Sequence, residues 1–290
     1  MIAPGSALRP NHLIAESPEL RSPPLVYRRL MEVLNHPRGG AGDVANVISQ
    51  DMALTARLLK LVNSAFYSFP RKIETVSQAV SVVGTSQVRD LSLATSVADA
   101  FKNLPSDLID VDAFWRHSLA CGVAARAIAG LRSETNVERF FVAGILHDLG
   151  RLVLIMRAPD EARLVMQRAQ ERGALLFETE REVIGFDHGR VGGALMEHWT
   201  MPDSLREAVR FHHEPAKAER FPVEAATVHV ADIIANGLQL GGSGERFVPP
   251  MSASAWASLG VDPLMIPFAV DQIDREYAAS LHFLGLEGEN

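Results

Sequence analysis

Three polar residues interrupt one apolar run, FFVAGILHDLGRLVLIM at residues 140–156: His147, Asp148 and Arg151. Such a run belongs in a protein interior, where a carboxylate beside an imidazole is costly unless a cation or hydrogen bonds compensate it. The pair therefore either holds a metal or forms a hydrogen-bonded structural couple. Most of the ten histidines fall from residue 117 onward among apolar neighbours, at His117, His147, His188, His198, His212, His213 and His229, with Asp148 and Asp232 as nearby carboxylates. Histidine and carboxylate together suit divalent first-row metals, and inward-facing ligands on several helices are a usual way to build such a site. On a helix, His212 and His213 would point about 100° apart, which favours service to two neighbouring ions over one shared ion. Asp148 has two oxygens and could bridge such a pair. A two-metal site can activate water and clamp a phosphoryl oxygen, and Arg151, one turn after His147, is placed to meet the negative charge. A lone histidine on an apolar face is more often a hydrogen-bonded core residue, and His12, His36, His198, His229 and His282 fall in that class.

Helical periodicity must position these residues, since no alternation of apolar and polar residues persists long enough to demand a sheet. Residues 1–20 read as a proline-containing arm. Short helices follow over 21–105: Leu25–Leu34, Val44–Ile48, a helix from Leu54 capped by Ser49 or Asp51, a Thr75–Gln78 capping box closed by Gly84, and Val88–Val97. Between them lies an aromatic loop, Phe66-Tyr67-Ser68-Phe69, which either packs on the bundle or presents a partner surface. Pro105-Ser106-Asp107 separates this subdomain from a second one over 106–284. There the spacing predicts helices at 114–131, at 140–156 behind a Thr135–Glu138 capping box, and at 159–172, 174–184 and 188–199. Further helices follow at 203–213 behind Ser204–Glu207, at 222–240, and at 251–259 and 264–284. Gly241-Gly242-Ser243-Gly244 reads as a flexible loop without the Lys-Ser/Thr tail of a phosphate-binding loop. Residues 285–290 read as a frayed tail.

Composition narrows the function classes. With 290 residues, 47% of them hydrophobic, the chain can bury a large core. A net charge of −7 argues against a broad nucleic-acid surface. The single cysteine, Cys121, excludes an internal disulfide and reads as a small core residue. No secretory signal or uninterrupted spanning segment is visible, so a cytoplasmic protein without membrane insertion is expected.

The ordered series His117, His147-Asp148, His188, His212-His213 and Asp232 resembles the H…HD…H…HH…D ligand series of the HD superfamily of metal-dependent phosphohydrolases. Residues 48–97, ISQDMALTARLLKLVNSAFYSFPRKIETVSQAVSVVGTSQVRDLSLATSV, resemble the HDOD (HD-related output domain) branch, and the likeness covers roughly 20–240. The resemblance implies an all-α fold, an N-terminal helical bundle packed on an HD-type bundle. It also implies a bacterial signalling setting, with output or scaffolding roles and other signalling proteins as partners. It assigns His117, His147, Asp148, His188, His212, His213 and Asp232 as ligands of one or two divalent first-row ions, iron or manganese. Two departures bear on activity. The related HD-GYP phosphodiesterases follow their paired histidines with Gly-Tyr-Pro, whereas this chain reads His212-His213-Glu214-Pro215, which disfavours cyclic di-GMP hydrolysis. The lysine usual after HD-x-G is Arg151, which keeps the charge with a different geometry.

Three readings stay open. The first is a regulatory HDOD protein, metal-stabilised and acting through protein contacts. The second is a phosphohydrolase for a nucleotide or other phosphoester, with Asp148 and Arg151 catalytic. The third is a metal-free polar seam that holds helices or a ligand.

Overall fold

The computed structural model describes residues 8–281, apart from 65, 66, 68, 102 and 103. Among these every regular element is helical, as expected. The N-terminal part comprises α1 (Pro10–Ala15), α2 (Leu25–Asn35), α3 (Ala41–Ser49), α4 (Met52–Val62), α5 (Val76–Val83) and α6 (Thr85–Val97). The second part comprises α7 (Val111–Leu131), α8 (Glu138–Leu146), α9 (Leu149–Arg157), α10 (Pro159–Arg172), α11 (Leu176–Val183), α12 (His188–His198) and α13 (Asp203–Phe211). It ends with α14 (Pro222–Gly237), α15 (Ala253–Leu259) and α16 (Ile266–Ser280). Buried residues from Leu13 to Ile273 form one contiguous cluster that runs through both parts.

Local chemistry accounts for the N-terminal helices. Asp51 caps α4 by accepting from the Leu54 amide. Thr75 and Gln78 form the expected capping box, and Gly84 ends α5 with φ at 102°, a conformation costly for a side chain. Asn63 closes the loop after α4: its amide group donates to the Ile73 carbonyl and accepts from the Ile73 amide, each at 2.7 Å. Within that loop Tyr67 stacks on Phe69 and both pack against the core, so the packing alternative holds for these two residues. Phe66, like residues 285–290, lies outside the described residues.

The segment read as a proline-containing arm carries α1 and packs on the core. α1 buries Leu13 and Ile14, and Leu20 is buried just after it. The Trp199 indole donates to the Leu20 carbonyl at 2.9 Å, and His198 Nε2 bonds the Arg21 carbonyl at 3.1 Å, fastening this segment to the end of α12.

The run 140–156 is two helices, not one. α8 ends at Leu146, and His147 and Asp148 form a turn before α9 starts at Leu149. Its start also differs from expectation: Val137 is the N-cap without a side-chain cap, and Asn136 Oδ1 accepts from the Arg139 amide in place of the Thr135–Glu138 box. Likewise Ser204 lies inside α13, and Glu207 accepts from the Arg220 and Phe221 amides ahead of α14.

Two backbone approaches bring the turn to its neighbours. At Gly144 a Cβ would lie 2.6 Å from the Cys121 carbonyl oxygen, so α8 presses directly onto α7. At Gly150 a Cβ would overlap the His188 carbonyl oxygen and lie 2.5 Å from the Gly192 amide, so α9 presses onto α12. Helix propensity alone favours alanine over glycine by about 1 kcal/mol, but overpacking against fixed backbone costs about 1–3 kcal/mol or more. Gly150→Ala is therefore expected to lower stability by about 2 kcal/mol in urea unfolding, and an unchanged or raised midpoint would contradict this packing.

Candidate metal centre

Seven side chains from five places in the chain converge at the turn between α8 and α9. His117 comes from the middle of α7, His147 and Asp148 from the turn itself, His188 from the first position of α12, His212 and His213 from the turn after α13, and Asp232 from α14. All are buried except His213, which is half-buried. Their donor atoms form two groups, Asp148–His188–His212–His213 and His117–His147–Asp148, each within 4.8 Å. Ligands at about 2 Å from one ion need a spread of this order. Asp148 belongs to both groups, and Asp232 Oδ1 stands 3.1 Å from His117 Nε2 and 3.6 Å from His147 Nε2.

The histidine rings are oriented from outside. His147 Nδ1 bonds the Gly144 carbonyl and His212 Nδ1 the Val209 carbonyl, each at 2.7 Å. In both cases Nδ1 must donate, which leaves Nε2 facing inward, and both Nε2 atoms are buried without a hydrogen-bond partner. His188 Nδ1 lies 2.7 Å from Glu180 Oε2, which also accepts from the His188 amide. Its Nε2 then meets Asp148 Oδ1 at 2.9 Å and His213 Nε2 at 2.8 Å. A carbonyl or carboxylate on the far nitrogen is the usual support of a metal-ligating histidine. Orphaned inward nitrogens of this kind fit a cation.

Charge is tightly coupled here. Burial opposes ionisation of Asp148, but His147, Arg151 and His188 outweigh it and hold its carboxyl well below the usual range. Burial likewise opposes Asp232, which the neighbouring His117 and His147 pull well down. For His147 burial disfavours the charge, yet Asp148 with Cys121 and Asp232 raises it well above the ordinary value. His188 is pushed up to about 9, again against burial, chiefly by Glu180 and Asp148. Burial, with His147 and His188 nearby, pulls His212 down to about 3, and burial with His212 and His188 lowers His213. Without a metal, two imidazolium protons and Arg151 therefore balance the carboxylates.

Arg151 is not open to a ligand in this conformation. It is 3% exposed, and its NH1 donates to the Ser243 carbonyl at 2.6 Å and reaches the Ser243 hydroxyl at 3.2 Å. The loop over residues 241–244, expected to be flexible, is a packed strap: Gly241 has φ of 79° and lies against the backbone of α7 at His117, and the Gly242 amide donates to the Ala113 carbonyl. A side chain at Gly241 would strike the His117 amide, which is why the strap needs glycine there.

The expectation that His212 and His213 serve different ions does not hold geometrically. α13 stops at Phe211, so the pair lies in a turn, with ring centroids 3.9 Å apart and both residues in one donor group. His229 is structural: Nδ1 bonds the His212 carbonyl at 2.7 Å, and Nε2 accepts from the Ser252 amide at 3.0 Å. Cys121 is fully buried, and burial raises its thiol. Sequence reasoning missed three supporting residues. Glu180 holds His188, Asn236 donates to Asp232 Oδ1 at 2.8 Å, and Phe177 stacks on His213 with centroids 4.1 Å apart. Asn236 stands one helical turn after Asp232, a spacing that could have marked it.

Comparison with known proteins agrees with this architecture. The HDOD domain family profile matches residues 20–215. An HDOD domain protein of unknown function from Geobacter sulfurreducens is 26% identical, superposes with a TM-score of 0.78, and covers 94% of this chain and 96% of its own. A candidate phosphohydrolase from Shewanella amazonensis SB2B is 25% identical with a TM-score of 0.73, covering 94% and 98%. An uncharacterized protein of Treponema pallidum (strain Nichols) is 26% identical over 222 residues, which is 76% of this chain, and the chain spans only 42% of that relative's length. Among the described residues no single helix is long and apolar enough to cross a membrane. On the match of its family profile over more than half its length, the chain belongs to the HDOD family.

Proposed function

We propose that the protein is a regulatory HDOD module that acts through contacts with other signalling proteins and carries a divalent first-row metal, iron or manganese, as one or two ions. The observation that carries the metal is the pair of buried Nε2 atoms on His147 and His212, both aimed inward by carbonyls on the opposite nitrogen, both without a hydrogen bond, and 3.4 and 3.7 Å from the Asp148 carboxylate. His117, His147, Asp148, His188, His212, His213 and Asp232 would hold it, with Asp148 shared between the two groups. When bound, such an ion supplies Lewis acidity and a stabilising cross-link between helices. Burial of the ligands and the engagement of Arg151 by Ser243 favour the cross-link as its main role. The fold joins two parts across one core, which suits a scaffold that transmits contacts.

A second reading, hydrolysis of a nucleotide or other phosphoester with Asp148 and Arg151 in the reaction, is supported by the sharing of Asp148 between two donor groups. It also draws on the description of the Shewanella relative. In that case the 241–244 strap must lift from Arg151 for a phosphoryl oxygen to reach it. The regulatory reading expects chelation to lower the melting temperature by several degrees, since binding to the folded state alone contributes about 4 kcal/mol at a thousandfold excess over Kd. It expects no turnover across a phosphoester panel before or after chelation. Hydrolysis by the metal-loaded protein, abolished in Asp148→Ala, would establish the second reading instead.

Metal uptake is also expected to release protons. A ligand histidine must be neutral, and His147 and His188 hold protons in the metal-free state, His188 up to about pH 9. Affinity should therefore fall as pH is lowered from about 9 towards neutrality. Titration calorimetry in buffers of different ionisation enthalpy should show release of about two protons per first ion at neutral pH. Uptake without proton release would contradict the charge assignment.

A further inference from the structure

A cleft of about 440 Å³ opens beside the metal centre, between the loop before α12, the end of α13 and the turn that follows. None of its lining residues is a candidate metal ligand. Its charges divide into two sets. Arg181 contacts Asp187 at 2.5 Å and Glu214 at 2.7 Å, and Lys217 contacts Glu214 at 2.8 Å, so these four charges balance one another. Arg190 and Arg210 also line the cleft, and neither has a carboxylate partner among the described residues. On a chain of net charge −7, two uncompensated guanidinium groups in one concavity stand out.

Arg210 is held in place rather than free. Gly193 leaves room for its stem on α12: a Cβ there would lie 2.7 Å from Arg210 Cβ and 3.0 Å from its Cγ. Its guanidinium carbon sits 5.3 Å from the Phe211 ring centroid, and its Nε is buried with no hydrogen-bond partner. An arginine already fixed along its stem gives up little freedom when an acceptor reaches the end of its guanidinium. Arg190 is exposed and lines the same cleft.

We propose that this cleft binds a compact dianion, a phosphate group free or carried by a small organic molecule, between Arg190 and Arg210 and independently of the metal. Planar guanidinium groups match phosphate oxygens in pairs, and two of them match its charge at slightly alkaline pH. The site would give the protein a small-molecule input next to, but chemically separate from, its metal centre.

The test is calorimetric titration of the full chain, as purified and after chelation, with inorganic phosphate in one arm and adenosine monophosphate in the other, at low ionic strength. Binding is expected in both metal states, with R190Q and R210Q each weakening it roughly tenfold, the scale of one charge-assisted hydrogen bond. Adenosine monophosphate binding more tightly than phosphate would support an organic phosphate, and the reverse would support the free ion. Arg190 is exposed, so R190Q carries the test even if R210Q fails to fold. Binding that disappears on chelation, binding unchanged in R190Q, or no binding at millimolar phosphate would each overturn the proposal.

Discussion

The carboxylate of Asp148 is buried, 2% exposed, and the residues around it supply it with positive charge. An isolated buried carboxylate would cost many kcal/mol and would protonate instead. Here His147, Arg151 and His188 surround it and keep it ionised. Both histidines are raised by the carboxylates around them, and a divalent ion bound as proposed would have to displace the protons they hold.

The charge cluster depends on backbone geometry set elsewhere. His147 and Asp148 leave the helix because α8 ends at Leu146, and the His147 ring then takes up the Gly144 carbonyl that the missing helical turn would have used. The approaches at Gly144 and Gly150 bring α7 and α12 close enough for His117 and His188 to reach the same turn. His229 ties the His212 carbonyl to the loop before α15, and the glycine strap covers Arg151. The cluster and the packing are thus one structure: loosening any of these contacts opens a site whose charges tolerate little water-free misplacement.

Much of this was legible in the chain. The histidines and aspartates stood out because charged and titratable residues are rare in apolar helices, and the all-helical fold followed from helical periodicity together with the resemblance to the HDOD branch. Asp51 and the Thr75–Gln78 box act as their types suggest. What the sequence concealed has physical reasons. The break at His147 is invisible because the apolar pattern continues through it, and the bond from the His147 ring to the Gly144 carbonyl at the end of α8 is not something periodicity reports. Glu180 looks like a surface charge among its neighbours on α11, and only the fold shows it turned onto His188. Glycines 241 and 242 suggest looseness, yet Gly241 lies hard against the backbone of α7 and the Gly242 amide donates to the Ala113 carbonyl. His212 and His213 seemed to diverge only on the assumption that the helix extends through them.

The central claim is that the inward nitrogens of His147 and His212 are metal ligands rather than members of a proton-held seam. The most direct measurement is elemental analysis of protein purified without chelators or affinity nickel, on the native chain and on His212→Ala. His212 is the most informative position because its imidazole is neutral and carries none of the balancing charge. The account predicts a stoichiometric first-row metal in the native protein and a clear loss in the variant. A native protein free of first-row metals, folded and equally stable with chelator, would contradict it.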